Sequence, residues 1–216
     1  MNTHHKIVIF DLDGTLINSL PDISAAGNKM LQKYGKASHT IDEYKYFVGN
    51  GSKRLVERIL PDFSEEQQAE ALDIYKEFYQ NDLVVNTSAY PGIPETLKSL
   101  KERGIKIAVC TNKHFSAVNE ILGKVFPDIE FDAVAGERPG IPKKPDPTNV
   151  NNILQEMGID KSDAVYVGDS DVDMETGCRA GVMTVGVLWG YRPLDNMVQG
   201  GGKIFISTPS ALLDII

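Results

Sequence analysis

Two acidic residues separated by a single leucine follow a short apolar segment near the start of the chain. Asp11 and Asp13 come directly after residues 6–10, and Gly14 then allows a sharp turn. A carboxylate can attack phosphorus and form an acyl phosphate. A second carboxylate beside it can protonate the leaving alcohol and later deprotonate water. The pair therefore suggests covalent catalysis at a phosphate ester, and a polar turn after a strand is the alternative interpretation.

A second acidic group follows another apolar segment much later in the chain. Residues 168–173 read Gly-Asp-Ser-Asp-Val-Asp and come directly after the apolar residues 164–167. Several acids at the end of a buried strand are unfavourable unless a cation is present. Mg²⁺ prefers a few carboxylates, several waters and a substrate phosphate. The segment therefore favours a metal site, with Asp-rich capping of a helix as the alternative.

Residues of the kind that bind phosphate lie between these two acidic segments. Thr111 and Asn112 end a predicted strand over residues 105–110, where a hydroxyl and an amide can donate to phosphoryl oxygens. Capping of the following helix is the alternative. Lys144 lies in the sequence Lys-Lys-Pro-Asp-Pro, where the prolines restrict the chain and a lysine can supply a fixed positive charge. An exposed basic loop that enters a helix is the alternative there.

The order of the predicted elements brings these segments to one edge of a sheet. Six short apolar segments read as buried strands, and helical patterns separate most of them. Alternation of this kind predicts an α/β fold with a doubly wound, parallel, Rossmann-like sheet. Ligands bind such sheets at the carboxyl ends of the strands, where the candidate residues lie. The predicted strands cover residues 6–10, 105–110, 133–135, 164–167, 183–187 and 203–206.

Residues 18–87 interrupt the alternation with helical patterns. We therefore predict a catalytic core formed by residues 1–17 and 88–216, and a small helical cap formed by residues 18–87. The cap is expected to lie over the carboxyl edge of the sheet. The connections near residues 17–18 and 87–89 are the expected hinges. Two capping boxes are predicted inside the cap, Thr40 with Glu43 and Ser64 with Gln67.

The composition limits the classes of partner. The formal net charge is −8, which argues against a general nucleic-acid binder or membrane-surface binder. An anionic substrate then needs a local site built from a metal ion, basic side chains and backbone N–H groups. No apolar run approaches the roughly 20 residues needed to span a bilayer, and the N-terminus lacks the pattern of a signal peptide. We therefore expect a cytoplasmic protein, present as a monomer or homodimer.

Taken together, these segments resemble the haloacid dehalogenase-type hydrolase superfamily, and the resemblance covers nearly the whole chain. The resemblance is closer still to the phosphoglycolate phosphatases. Asp171 and Val172 depart from the pair of residues, one basic and one polar, that is common there. The matching segments are residues 11–19 with Pro21 and Asp22, residues 48–51, residues 111–113, residues 144–145, residues 167–170, residues 186–187, and Gly190 with Tyr191.

The resemblance implies a role for each candidate residue. Asp11 is expected to be the nucleophile, and Asp13 the general acid and base. Arg54 or its neighbour Lys53 would meet a substrate carboxylate, and an exposed basic helix face is the alternative for both. Phosphate binding is implied for Thr111, Asn112 and Lys144. Mg²⁺ binding is implied for Asp11, the Asp13 backbone carbonyl and Asp169, with support from Asp173. Substrate contact is implied for a cap loop with Gly49, Asn50, Gly51 and Arg54.

We therefore expect a Mg²⁺-dependent phosphatase that hydrolyses a small phosphorylated metabolite through a phospho-aspartate intermediate. The favoured substrate is 2-phosphoglycolate. The alternatives within the superfamily are a phosphosugar mutase, a pyrophosphatase and a sugar phosphatase, which share the core residues and differ in the cap. A dehalogenase is disfavoured because those relatives use neither a second acid at the position of Asp13 nor a metal. A non-catalytic binding protein is the third alternative, and loss of Asp11, Asp13, Lys144 or Asp169 would have indicated it.

Overall fold

The computed structural model describes residues 5–216; residues 1–4, which belong to the terminus where we expect no signal peptide, lie outside it. In chain order the strands are β1 (Ile7–Phe10), β2 (Ile17–Asn18), β3 (Ser88–Ala89), β4 (Lys106–His114), β5 (Ala133–Glu137), β6 (Ala164–Gly168), β7 (Met183–Val187) and β8 (Ile204–Ile206). The α-helices are α1 (Leu20–Lys33), α2 (Ile41–Phe47), α3 (Ser52–Ile59), α4 (Glu65–Asn81), α5 (Ile93–Glu102), α6 (Phe115–Val125), α7 (Thr148–Met157), α8 (Asp171–Ala180) and α9 (Leu194–Gln199). Among the helices of this described part, none has both the length and the apolar character needed to cross a bilayer.

Six of the strands form one parallel sheet in the order β5-β4-β1-β6-β7-β8. β1 lies inside the sheet, and Phe10 at its end is opposite Val109 of β4 and Val167 of β6. The chain builds β4 and β5 on one side of β1 and then crosses to build β6, β7 and β8 on the other. The strand order therefore reverses at β1, which is the position where doubly wound sheets bind ligands.

Helices cover both faces of this sheet. Val8 and Phe10 of β1 point to one face, where they join a core cluster with side chains of α5 and α6. Ile7 and Ile9 point to the opposite face and pack with side chains of α7. The alternation follows from the two-residue repeat of a strand, and all four side chains are buried because both faces are covered. The predicted doubly wound α/β fold is confirmed.

Helices α1 to α4 pack around a second hydrophobic cluster, which Tyr191, from the segment after β7, also joins. Tyr44 and Tyr75 lie within it, and Phe78 and Tyr79 pack against it. The helical spacing of Tyr75, Phe78 and Tyr79 in the sequence predicts this packing. Both predicted capping boxes are present, Thr40 with Glu43 at the start of α2 and Ser64 with Gln67 at the start of α4.

The two connections to these inserted helices pair with each other. Ile17 of β2 lies opposite Ala89 of β3, and Asn18 lies opposite Ser88, in an antiparallel ribbon. The sequence predicts hinges at these positions. The helical pattern ends earlier than predicted, because residues 82–87 form turns instead of helix.

β4 continues further than the predicted strand over residues 105–110. Its pairing with β5 changes register between Cys110 and His114, and α6 begins only at Phe115. The irregular end of β4 approaches β5 closely at Gly136, where an added Cβ would lie 2.9 Å from the Lys113 carbonyl oxygen. The residues predicted to follow the strand, 111–113, are therefore part of its irregular end.

Candidate active site

A cleft of about 620 Å³ lies between the carboxyl edge of the sheet and the inserted helices. Asp11 follows β1, Asp169 follows β6, and Thr111 lies in the end of β4. The residues that follow three neighbouring strands meet here because those strands pair in register. The inserted helices contribute a largely apolar wall that includes Ile23, Leu55, Leu72, Tyr75 and Tyr79.

Three buried carboxylates cluster at the base of the cleft. Asp11, Asp169 and Asp173 each offer an oxygen atom, and these oxygens lie within 4.8 Å of one another. Lys144 balances part of this charge, with Nζ at 2.8 Å from Asp11 Oδ1 and 2.7 Å from Asp173 Oδ1. Apart from this ion pair with Lys144, the buried Asp11 Oδ1 has no hydrogen-bond partner among residues 5–216.

The cluster perturbs the acidity of its members. Burial raises the pKa of Asp11 to about 7, the charge of Asp173 raises it as well, and Lys144 opposes both effects. Burial, followed by the charges of Asp173 and Asp11, holds the pKa of Asp169 well above its usual range. Burial lowers the pKa of Lys144, but the two carboxylates outweigh it and raise that pKa, so the ammonium stays charged.

The donor set fits a hard divalent cation. Carboxylate oxygens are the ligands that such ions prefer, and a cation between Asp11 and Asp169 would offset the burial and the neighbouring negative charges that raise their pKa values. Among residues 5–216, the Lys144 ammonium is the one polar partner of Asp11 Oδ1. Asp173 is less available, because Oδ1 accepts from Lys144 and Tyr166 while Oδ2 accepts from the Ser170 backbone and hydroxyl.

Asp173 makes two kinds of contact, and helix capping, one of the two interpretations of its segment, is among them. Its Oδ2 completes a capping box with Ser170 at the start of α8. Its Oδ1 faces Lys144, whose charge it helps to hold at the base of the cleft. The same side chain therefore caps a helix and orients the lysine beside Asp11.

Two glycines make room for Asp169. A Cβ added at Gly14 would lie 2.3 Å from Asp169 Oδ2, and one added at Gly190 would lie 2.2 Å from Asp169 Cβ. Gly14 also has φ +89°, which favours glycine. The backbone N–H of Tyr191 donates to Asp169 Oδ2 at 2.6 Å. The close packing against Gly14 and Gly190 and the hydrogen bond from Tyr191 thus fix the orientation of the Asp169 carboxylate.

Asp13 is held by two groups to which the sequence assigns no role. Lys113 Nζ donates to both carboxylate oxygens, at 2.9 and 3.0 Å, and Ser19 Oγ donates to Oδ1 at 2.5 Å. Tyr191 supports Ser19, because its hydroxyl accepts from the Ser19 backbone N–H at 3.0 Å. The sequence feature that could have pointed to Lys113 as a site residue is its position directly after Thr111 and Asn112.

The two residues of the β4 end that were predicted to bind phosphate have different surroundings. Thr111 is buried at the cleft, and its hydroxyl accepts from the Lys113 backbone at 3.3 Å. Asn112 Oδ1 accepts from the Lys144 N–H at 2.9 Å, and Nδ2 donates to the carbonyls of Lys144 and Gly49. The side-chain amide of Asn112 is thus committed to backbone groups and holds the Lys144 loop, while the residue lines the cleft, and its predicted role at the phosphate stays a prediction.

Some residues of the predicted substrate loop line the cleft, and others point away from it. Gly49 and Gly51 line the cleft, and so does Lys53. Asn50 is turned to Arg58, whose Nη2 donates to its Oδ1 at 2.7 Å. Arg54 is outside the set that lines the cleft, because it pairs with Glu57 at 2.6 Å on an exposed face of α3. For Arg54 the exposed basic helix face is the correct interpretation.

Comparison with known proteins agrees with this arrangement. The family model described as haloacid dehalogenase-like hydrolase matches residues 8–187. A phosphoglycolate phosphatase from Aquifex aeolicus is 36% identical over 211 residues, which cover 98% of this chain and 96% of that protein. A phosphoglycolate phosphatase from Psychrobacter arcticus is 37% identical, over 98% of this chain and 95% of the relative.

A solved structure has the same fold over its whole length. It is described as a predicted phosphoglycolate phosphatase from Haemophilus somnus 129pt, and it superposes with a TM-score of 0.91 at 28% identity. The superposition covers 100% of this chain and 99% of the other. With the matched family and these relatives, the sheet, the cleft and the carboxylate cluster lead to one conclusion: the chain belongs to the haloacid dehalogenase-like hydrolase family.

Proposed function

We propose that the protein is a Mg²⁺-dependent phosphatase that hydrolyses 2-phosphoglycolate through a phospho-aspartate at Asp11. One observation carries the proposal. The carboxylate of Asp11 lies at the end of a central strand, at the base of the cleft, with the Lys144 ammonium 2.8 Å from its Oδ1. A carboxylate in this setting can act as a nucleophile toward a phosphoryl group that the ammonium attracts.

In the proposed reaction the phosphoryl group moves twice. Asp11 attacks phosphorus as Asp13 gives a proton to the leaving oxygen, which releases the alcohol and leaves an acyl phosphate. Asp13 then takes a proton from water, which attacks phosphorus and releases inorganic phosphate and the Asp11 carboxylate. Lys144 and the Thr111 hydroxyl hold the phosphoryl oxygens throughout.

The metal site in this proposal uses Asp11, Asp169 and the Asp13 backbone carbonyl. Bound Mg²⁺ supplies charge neutralisation for the phosphoryl oxygens. Asp173 orients Lys144 toward the same oxygens through its contact at 2.7 Å. The raised pKa values of Asp11 and Asp169 support this assignment, because burial and the charges of neighbouring carboxylates both disfavour their ionised forms, and a bound cation would offset both effects.

We further propose that residues 18–87 act as a cap on a core formed by residues 1–17 and 88–216. Two observations support this division: the inserted segment supplies all but one of the buried members of its hydrophobic cluster, the exception being Tyr191, and both connections run side by side in the β2–β3 ribbon. Cap motion would gate the site, because the cap would close over bound substrate and limit the access of bulk water to the reaction. The cytoplasmic location and the monomeric or homodimeric state stay predictions.

The choice of substrate is supported by the relatives, which are described as phosphoglycolate phosphatases. A panel of kcat/KM values tests it, with 2-phosphoglycolate, hexose phosphates, nucleotides and pyrophosphate, each with Mg²⁺ and after chelation. We expect 2-phosphoglycolate to give the highest value and chelation to abolish turnover until Mg²⁺ is restored. A higher kcat/KM for pyrophosphate or a hexose phosphate would identify that compound, instead of 2-phosphoglycolate, as the preferred substrate. Transfer of phosphate between sugar hydroxyls without release would indicate a mutase.

A further inference from the structure

Lys113 is a buried cation between a catalytic carboxylate and the cap. Its side chain is 9% exposed, and its ammonium donates to both oxygens of Asp13. On its other side the ammonium lies 4.8 Å from the centre of the Tyr79 ring of α4. Burial lowers the pKa of Lys113, but the charge of Asp13 outweighs this and raises it. The group is therefore a fixed positive charge that lines the cleft beside Asp13.

Lys113 differs from other lysines of the cleft wall in its burial and in its partner. Lys76 pairs with Asp73 at 3.5 Å and is 55% exposed, and Lys143 pairs with Glu137 at 2.6 Å and is 36% exposed. Solvent screens both of these charges more strongly than that of Lys113. Of these three lysines, Lys113 is thus the least screened partner for an anionic group that enters the cleft next to Asp13.

The contact with Lys113 restrains Asp13. Both oxygens of this carboxylate are engaged, Oδ1 by Lys113 and Ser19 and Oδ2 by Lys113. Proton transfer to a leaving oxygen requires Asp13 to turn toward that oxygen, which means loosening the contact with Lys113. A buried ammonium left without a counter-charge is costly, so this change is favourable when a second anion replaces Asp13 beside Lys113.

A substrate with two anionic groups can supply that replacement. In 2-phosphoglycolate the carboxylate is one methylene group away from the ester oxygen. When the ester oxygen faces Asp13, the carboxylate reaches the neighbourhood of Lys113. Resting on the proposed function, we propose that Lys113 is a specificity-determining residue: it exchanges its ion pair with Asp13 for one with the substrate carboxylate, and this exchange releases Asp13 to act on the leaving oxygen.

The proposal names a substrate class, phosphate monoesters with a carboxylate next to the ester carbon. It also links recognition to turnover, because a substrate without the carboxylate leaves Asp13 paired with Lys113. Ethyl phosphate is the analogue without the carboxylate, since it keeps the phosphate, the ester oxygen and the ester carbon of 2-phosphoglycolate and has a smaller, uncharged methyl group in place of the carboxylate. The test compares kcat and KM for both esters in the wild-type protein, Lys113→Met, Lys113→Arg and Lys76→Met.

We expect the wild-type protein to prefer 2-phosphoglycolate. In Lys113→Met, kcat/KM for 2-phosphoglycolate should fall about 30-fold, the effect of losing a hydrogen bond between charged groups. Its kcat/KM for ethyl phosphate should rise, because the ammonium no longer holds Asp13 in this variant, and measurable turnover also reports that the site is intact. Lys113→Arg should recover most of the preference, and the control Lys76→Met should keep the wild-type ratio.

Other results would overturn the inference. Equal losses for both esters in Lys113→Met, including loss of all activity, would make Lys113 a general support of the site. An unchanged preference in Lys113→Met would refute the exchange and leave the proposed function standing. A wild-type protein that does not prefer 2-phosphoglycolate to ethyl phosphate would instead refute the proposed substrate, and the role of Lys113 with it.

Discussion

The guanidinium of Arg192 donates a hydrogen bond of 2.9 Å to the backbone carbonyl of Val48, across the mouth of the cleft. Arg192 follows β7 in the core, whereas Val48 ends α2 in the proposed cap. The same guanidinium also donates to the carbonyls of Lys45 and Tyr46. The last carbonyls of a helix have no partner within it, so a core residue here satisfies them and joins the cap to the core.

Arg192→Met should weaken closure of the cap. Loss of the hydrogen bonds from a charged donor should raise KM for 2-phosphoglycolate about tenfold, while the melting temperature changes little. Arg58→Met is the matched control, because Arg58 of α3 donates to the carbonyls of Tyr46 and Phe47 from within the cap. That variant should lower the melting temperature. Similar effects of the two variants on KM and melting temperature would argue against a closing contact.

A second long-range contact fixes the other connection of the cap. The Asp22 carboxylate in α1 is buried and accepts from the backbone N–H groups of Val85, Asn86 and Thr87 and from the Thr87 hydroxyl. Burial raises the pKa of Asp22, but the hydrogen bonds from Thr87 and Asn86 outweigh it and hold that pKa below its usual range. The ionised carboxylate is therefore the form that organises the segment before β3.

Asp22→Asn should lower the free energy of unfolding by about 2 kcal/mol at neutral pH, because an amide N–H group then faces backbone donors. Since the folded-state pKa is lowered, the stabilisation exists above the unfolded pKa and disappears as pH falls through the folded value. Urea unfolding of both proteins should converge below about pH 4. Asp82→Asn is the control: its exposed pair with Lys29 should contribute little at any pH. A difference that persists in acid would exclude the charge as its source.

The residues at the strand ends were predictable because the signal is local. An apolar run followed by an acid marks Asp11 and Asp169, and the parallel arrangement of strands then puts them at the same edge. Thr40 and Ser64 were predictable for a similar reason, because a capping box is complete within four residues.

The partners of individual side chains were not predictable, because they depend on the fold. Asp22 and Thr87 are 65 residues apart in the chain, and Lys113 and Asp13 are 100 residues apart. An amide both donates and accepts, so residue type does not tell whether Asn112 faces substrate or backbone. The rotation of α3 about its axis decides between Lys53 and Arg54 for the cleft, and the helical pattern does not fix that rotation.

Asn112 should act through Lys144. Its amide both accepts from and donates to the Lys144 backbone, so Asn112→Ala should displace the lysine and lower kcat/KM about 100-fold. The double variant Asn112→Ala with Lys144→Ala should then be no worse than Lys144→Ala alone. Thr111→Ala is the control, because its hydroxyl faces the cleft and its effect should add to that of Lys144→Ala. Additive effects of Asn112→Ala would instead indicate a direct role at the phosphate.

Stabilisation by Mg²⁺ should increase with pH. The pKa of Asp11 is raised to about 7, and that of Asp169 lies well above its usual range. A raised acid pKa means that, without metal, stability falls as pH rises from the unfolded value near about 4 through the raised value. The gain in melting temperature on adding Mg²⁺ should therefore be small near about pH 5 and larger near about pH 8. Asp169→Asn should remove most of the gain; an equal gain at both pH values would contradict the site.

The phosphorylated residue can be identified directly by mass spectrometry of protein quenched in acid during turnover. Acetyl phosphate is a suitable donor because its leaving group needs no acid, and Asp13→Asn removes the base for the second step, so the intermediate should accumulate. We expect one added HPO₃ group on the peptide that contains Asp11, and none when Asp11→Asn is also present. An HPO₃ group on another side chain, or turnover by Asp11→Asn at the wild-type rate, would contradict phosphoryl transfer through Asp11.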